Sequence, residues 1–105
     1  MIAVLDMGYS LLEDCGFTRA EAVRATGQLV MRNIENVLEA GCDGALTGPI
    51  ERNDIETVKK HIACMQNDDS DDVRLYKMLG TKLVNIAEKK NPDKDYTQMM
   101  ELLRG

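Results

Sequence analysis

Apolar residues recur along this chain at the three- and four-residue steps of a helix, and nowhere do they alternate long enough to make a strand. In the opening segment, Met1 to Asp14, that step is kept by Ile2, Leu5, Tyr9 and Leu12. Ala3, Val4, Met7 and Leu11 fill the other faces, and only Asp6, Glu13 and Asp14 carry charge. A helix apolar all round belongs in an interior or against a partner. It begins without a capping residue, so we expect the natural chain to start earlier. Gly16 is placed to end it. Thr18-Arg19-Ala20-Glu21 is a capping box, whose hydroxyl and carboxylate each accept a helix-start amide. It predicts a second helix running to Ala40 and stopping at Gly41, a rod of roughly 33 Å. Val23, Gly27, Val30, Ile34 and Val37 make its inner stripe; Arg24, Gln28, Arg32, Glu35 and Glu39 make the wet face. Glycine is costly inside a helix, so Gly27, with Gly8, is expected to mark a close approach between helices.

A loop from Cys42 to Arg52 follows. Asn53 is placed to cap a short helix, Asp54 to Met65, with Glu56 three residues on and Ile55, Val58 and Ile62 turned inward. The run from Gln66 to Asp72 is polar and acidic, and Ser70 is a cap candidate for a fourth helix, Asp71 to Lys90. That helix is expected to bury Leu75, Leu79, Leu83 and Ile86. Asn91-Pro92 breaks it. A last helix, from about Asp95 to Arg104, carries Tyr96, Met99, Met100 and Leu103. No internal repeat is visible. The fold class is all-α, one helical domain over residues 1–105.

Composition sharpens this picture. A chain of 105 residues, 44% hydrophobic and 30% charged, can bury one core. Aromatics are 4% and Met numbers 7, so the core should be aliphatic and adaptable. The net charge of -5 argues against nucleic acid, which wants a clustered Lys/Arg surface, and against an anionic membrane. No apolar run approaches the roughly 20 residues that span a bilayer. Met1-Ile2-Ala3-Val4-Leu5 meets Asp6 with no basic segment before it, which is unlike a signal peptide. Cys15, Cys42 and Cys64 are odd in number and far apart, and read as reduced thiols of a cytoplasmic protein.

Candidate chemistry is sparse. Gly41, Gly44 and Gly48 do not have the G-x-G-x-x-G spacing and follow no strand, so no cofactor is expected on this piece. His61 and Cys64 lie at i and i+3, but two ligands do not make a zinc site; a surface His beside a buried Cys is expected. Asp68, Asp69, Asp71 and Asp72 lack the glycine and the bidentate Glu of a calcium loop and suit a helix start instead. No metal site follows. The only His lies in an ordinary amphipathic helix, and no Cys has basic neighbours to activate it, so no catalytic residue is nominated. The exception is Thr47-Gly48-Pro49-Ile50-Glu51-Arg52-Asn53-Asp54. It joins a hydroxyl, a flexible Gly, a stiff Pro and an Arg just before a helix start, where free amides favour anions and Arg can grip a carboxylate at two points. Thr47, Gly48, Pro49, Arg52 and Asp54 are therefore candidate substrate-binding residues. A plain capped turn is the alternative, and chemistry alone leaves both open.

Ala45-Leu46-Thr47-Gly48-Pro49-Ile50-Glu51-Arg52-Asn53-Asp54 resembles the A-L-T-G-P-I-x-R-x-D signature of one helical domain. That domain follows a Rossmann-like NAD(P)-binding domain in a bacterial oxidoreductase family of unknown function. Leu12-Glu13-Asp14-Cys15-Gly16-Phe17 and the capped helix from Thr18 to Ala40 resemble further blocks of the same family. The resemblance covers residues 1 to about 65 well and the fourth helix more loosely. The layout is also similar to the C-terminal domain of pyrroline-5-carboxylate reductase, where a loop receives the substrate carboxylate at a dimer interface. Thr47, Gly48 and Pro49 occupy the corresponding place in a different order, which leaves the substrate open.

The resemblance implies the all-α fold shared with the C-terminal domain of 6-phosphogluconate dehydrogenase. It implies a homodimer, a small anionic substrate, and NAD(P) held by a nucleotide-binding domain that this sequence lacks. On that reading the chain is the C-terminal, substrate-side piece of an NAD(P)-dependent oxidoreductase and is not catalytic alone. The rival reading is a free-standing helical module whose apolar first helix docks on another protein.

Overall fold

A computed structural model describes residues 1–65 and 71–105. The described residues form five helices and no strand: α1 (Ile2–Asp14), α2 (Arg19–Ala45), α3 (Ile55–Cys64), α4 (Asp71–Lys90) and α5 (Thr97–Arg104). The fold class is all-α, as the periodicity requires. The proposed cap Ser70 and the acidic residues Asp68 and Asp69 lie outside the described residues.

α1 and α2 form a hairpin. α1 ends as Gly16 takes φ +104°, a left-handed value open to a residue without Cβ. The amides of Cys15, Gly16 and Phe17 then fold back to donate to carbonyls of the last turn. Both halves of the capping box at Thr18 are made: Glu21 N donates to Thr18 Oγ1 at 3.1 Å, and Thr18 N donates to Glu21 Oε1 at 2.9 Å. Arg19 ties the two helices together. It pairs with Asp6 at 3.1 Å and Glu13 at 2.9 Å and lies 5.6 Å over the Tyr9 ring.

The backbone of α2 leaves helical geometry at Gly41, where φ is 74° and ψ 177°. The expected stop therefore falls at the expected residue, but it is a break, not an end. One further turn runs to Ala45, so Cys42 to Ala45 are helical where a loop was expected. The inner face of α2 is also set one residue away from the expected stripe at its start. Ala22 is buried, Gly27, Val30, Ile34 and Val37 are half-buried, and Val23 is 42% exposed. Gly27 and Gly8 are not close-approach points within the chain, since a Cβ at either would meet nothing within 4 Å.

That role belongs to Gly80 of α4. A Cβ there would lie 2.8 Å from Leu103 Cδ2, so α4 and α5 meet closest where α4 has no side chain. Consequently α4 buries Val73, Gly80, Val84 and Ala87 most deeply, while the expected Leu75, Leu79, Leu83 and Ile86 are half-buried. Small residues win the inner face because α4 packs on α5 on one side and α2 on another. The core proper is Ile50, Val58, Val84, Ala87, Tyr96, Met99 and Leu103. It is aliphatic apart from one Tyr, as the composition implied. Asp54, not Asn53, caps α3: its carboxylate accepts from Thr57 N at 3.1 Å and Thr57 Oγ1 at 2.7 Å. Asn53 instead sits at φ 60°, a left-handed conformation that Asn tolerates. Among the described residues, no helix is long and apolar enough to cross a membrane.

Candidate functional site

Between the last turn of α2 and the start of α3, the chain closes into a tight turn around Gly48, which takes φ +101°. Arg52 N donates to Gly48 O at 3.0 Å, Asn53 N to Ile50 O at 3.1 Å, and Asp54 N to Pro49 O at 2.8 Å. Ile50 at its centre points into the core and is buried against the Gly80–Leu103 contact. The loop thus has an apolar pin and its own backbone hydrogen bonds.

It is also anchored from outside, by residues more than 35 positions further along the chain. Lys90 Nζ, at the end of α4, donates to Leu46 O at 2.6 Å and lies 3.8 Å from the Glu51 carboxylate. Asn91 Nδ2 donates to Glu51 Oε1 at 3.1 Å and to Tyr96 Oη at 3.0 Å. The buried Tyr96 hydroxyl in turn donates to Glu51 O at 2.6 Å. Asn53 Nδ2 donates to Asp95 O at 2.8 Å, while its Oδ1 is buried without a partner. Leu46 and Glu51, on either side of Gly48, are therefore both held to the end of α4 and the approach to α5.

The five sequence-nominated residues fare differently. Thr47 and Arg52 remain exposed. Gly48 and Pro49 contribute carbonyls to the turn, and Gly48 its positive φ. The Asp54 carboxylate is engaged in capping α3, and the Thr57 hydroxyl and amide hold its pKa below the ordinary carboxylate range. The amides of Arg52, Asn53, Asp54, Ile55 and Thr57 all donate within the chain, so the helix start is not the open amide cradle that its sequence suggested. What the loop offers a ligand is the Thr47 hydroxyl and the Arg52 guanidinium.

Sequence reasoning missed Lys90, Asn91, Glu51 and Tyr96 as the residues that hold this loop. No local spacing could have found them, because the partners are brought together only by the packing of α4 and α5. It also missed a cavity of ≈ 360 Å³ between α2 and α4, where Thr47 sits beside Val37, Leu83 and Ile86. Elsewhere, His61 Nδ1 lies 3.3 Å from the Tyr76 hydroxyl, and burial raises the Tyr76 pKa. Cys64 is exposed, not buried as expected, because it lies two residues, roughly 200°, round the helix from the inward Ile62. Among the described residues, no three His, Cys, Asp or Glu side chains are grouped to hold a metal ion.

Fold and loop together define an all-α domain that presents one rigid polar turn on a helical scaffold. The family description "Domain of unknown function (DUF2520)" matches residues 1–83, and the chain belongs to that family. The match takes in the hairpin, the loop and α3, and stops before Lys90, Asn91 and Tyr96. No curated protein and no solved structure matches the chain.

Proposed function

We propose that this chain is the helical, self-associating, substrate-side part of an NAD(P)-dependent oxidoreductase. The observation that carries this reading is the Ala45–Asp54 loop. Its sequence resembles that of the helical half of such enzymes, and its backbone is anchored at Leu46 and Glu51 while the Thr47 and Arg52 side chains are exposed. A rigid turn with one hydroxyl and one guanidinium can orient a small anion at little entropic cost. The described residues do not fit the nicotinamide cofactor itself. They contain no strand, and Gly41, Gly44 and Gly48 lie in a helix break, a helix and a turn, not in a strand-to-helix phosphate cradle. On this reading the hydride chemistry belongs to a separate nucleotide-binding domain of the parent protein, and this chain supplies placement.

The parent gene product, carrying whatever its gene encodes upstream of Met1, provides the test. Nicotinamide fluorescence should report saturable NADPH or NADH binding. In the same protein Arg52→Ala should weaken substrate, by more than about twofold in KM or kcat, and leave cofactor binding unchanged. A parent protein that binds neither nucleotide would overturn the reading. The interaction-module rival would then stand, supported by the exposed apolar residues of the α1–α2 hairpin.

A further inference from the structure

Two of the three free thiols border the same empty space. Cys15 follows the last residue of α1, Cys64 is the last residue of α3, and both line a cavity of ≈ 260 Å³. Leu11, Leu12, Met65 and Tyr76 form much of the rest of its wall. Cys42 does not line it and instead borders the separate cavity between α2 and α4. In sequence, all of α2, its loop and α3 lie between Cys15 and Cys64. The fold alone turns them to one space.

α1 packs on α2 and α3 on α5, so the cavity sits where the hairpin faces the rest of the domain. Both thiols are exposed and open to a reagent. Each stands at a helix end, where the backbone can adjust without breaking the hydrogen-bond ladder of a helix interior. A disulfide needs Cβ carbons about 3.5–4.5 Å apart, and the open space between the two side chains leaves room for that approach. The apolar walls suit the product, because a disulfide carries no hydrogen that burial would leave unpaired. A metal ion is the other occupant that facing thiols could take. Asp14 and His61 border the same cavity, yet among the described residues no three such side chains are grouped to hold one.

We propose that Cys15 and Cys64 form a reversible disulfide that fastens the α1–α2 hairpin to the end of α3, with a small-molecule disulfide as the oxidant. The thiolate of one cysteine attacks a sulfur of that molecule, whose S–S bond breaks and whose other half leaves as a thiol. The thiolate of the second cysteine then attacks the protein-bound sulfur. The Cys15–Cys64 bond forms and the remaining half leaves, again as a thiol. Two protein thiols are oxidised, one small disulfide is reduced, and the two thiol protons end on the two released thiols. In a reducing compartment such a bond is transient and reports a rise in oxidant.

Trypsin separates the three cysteines into the peptides Met1–Arg19, Asn33–Arg52 and His61–Arg74. The reduced chain, equilibrated with oxidised and reduced glutathione and digested without reductant, should yield Met1–Arg19 joined to His61–Arg74, with Cys42 outside the bond. On a denaturing, non-reducing gel the oxidised chain should run as a single chain, and dithiothreitol should reverse the bond. A bond that fits the fold also stabilises it, so the folded chain should keep the pair against more than about tenfold more reduced glutathione than the same chain in urea. Cys42→Ser should leave the product unchanged, while Cys15→Ser and Cys64→Ser should each abolish it. If a variant disturbs the fold, the peptide map of the unaltered chain decides alone. Joined peptides that contain Cys42, bonds only between molecules, or glutathione on both thiols with no bond between them would overturn the proposal. A Cys15–Cys64 bond no more resistant in the folded chain than in urea would overturn it equally.

Discussion

A methyl group at position 80 would meet Leu103 Cδ2 at 2.8 Å and Cδ1 at 3.1 Å, with Ile50 Cδ1 at 3.5 Å. Leu103 is 2% exposed, so moving it strains the core, at about 1–3 kcal/mol. Removing a glycine from a helix returns about 1 kcal/mol. Gly80→Ala should therefore be neutral to destabilising, by up to about 2 kcal/mol in urea unfolding. Gly27→Ala, with nothing within 4 Å of the new methyl, should stabilise by about 0.5–1 kcal/mol. Stabilisation by both substitutions alike would contradict the close approach at Gly80. The capping carboxylates make a second prediction at this scale. Thr57 lowers the pKa of Asp54, Thr97 that of Asp95, and Thr18 that of Glu21, in each case by donating to the ionised form. A folded-state pKa below the unfolded one means that the contribution is whole above the ordinary carboxylate range, near about pH 4. It is lost as pH falls through the lowered values. Urea midpoints should fall on acidification from pH 5 to pH 3, and Asp54→Asn should show a shallower fall. An unchanged slope in that variant would place the acid sensitivity elsewhere.

Among the elements, the helices were legible because caps and periodicity are local. The α4 range matches the expected one, and the Thr18 capping box forms both of its hydrogen bonds. Where local signals compete, the reading slipped by one residue. Asn53 and Asp54 are both good caps, and the structure chose Asp54 because Asn53 is needed at φ 60° to turn the chain and reach Asp95 O. The loop depends on a longer-range element, the α4–α5 junction. Tyr96→Phe removes the donor to Glu51 O and the acceptor of the Asn91 amide. It should cost about 1–2 kcal/mol. Hydrogen exchange at the amides of Arg52, Asn53 and Asp54 should accelerate beyond what that global loss explains. Exchange that rises uniformly over the chain would deny Tyr96 an anchoring role.

At the scale of the whole molecule, the apolar surface is unevenly distributed. Ile2 is 85% exposed, Leu29 68% and Leu38 81%, all on the α1–α2 hairpin, and α1 buries no residue fully. Leaving such side chains in water is unfavourable by roughly 1.5–3 kcal/mol each, and a two-fold pairing of like hairpins is the commonest closed remedy. Sedimentation equilibrium at micromolar concentration should give twice the 11.7 kDa chain mass. Leu29→Glu should shift it toward monomer, and a monomer for the unaltered chain would refute self-association. The sequence by itself determined the helices, the all-α class and the loop that distinguishes the chain. Each rests on residues within a few positions of one another, where capping and side-chain periodicity act. Only tertiary structure decided which face of α4 is deepest, which glycine is a contact point, that Lys90, Asn91 and Tyr96 hold the loop, and that a cavity opens beside Thr47. Those depend on distances between segments more than 20 residues apart, which side-chain volumes and packing set together and no local spacing encodes.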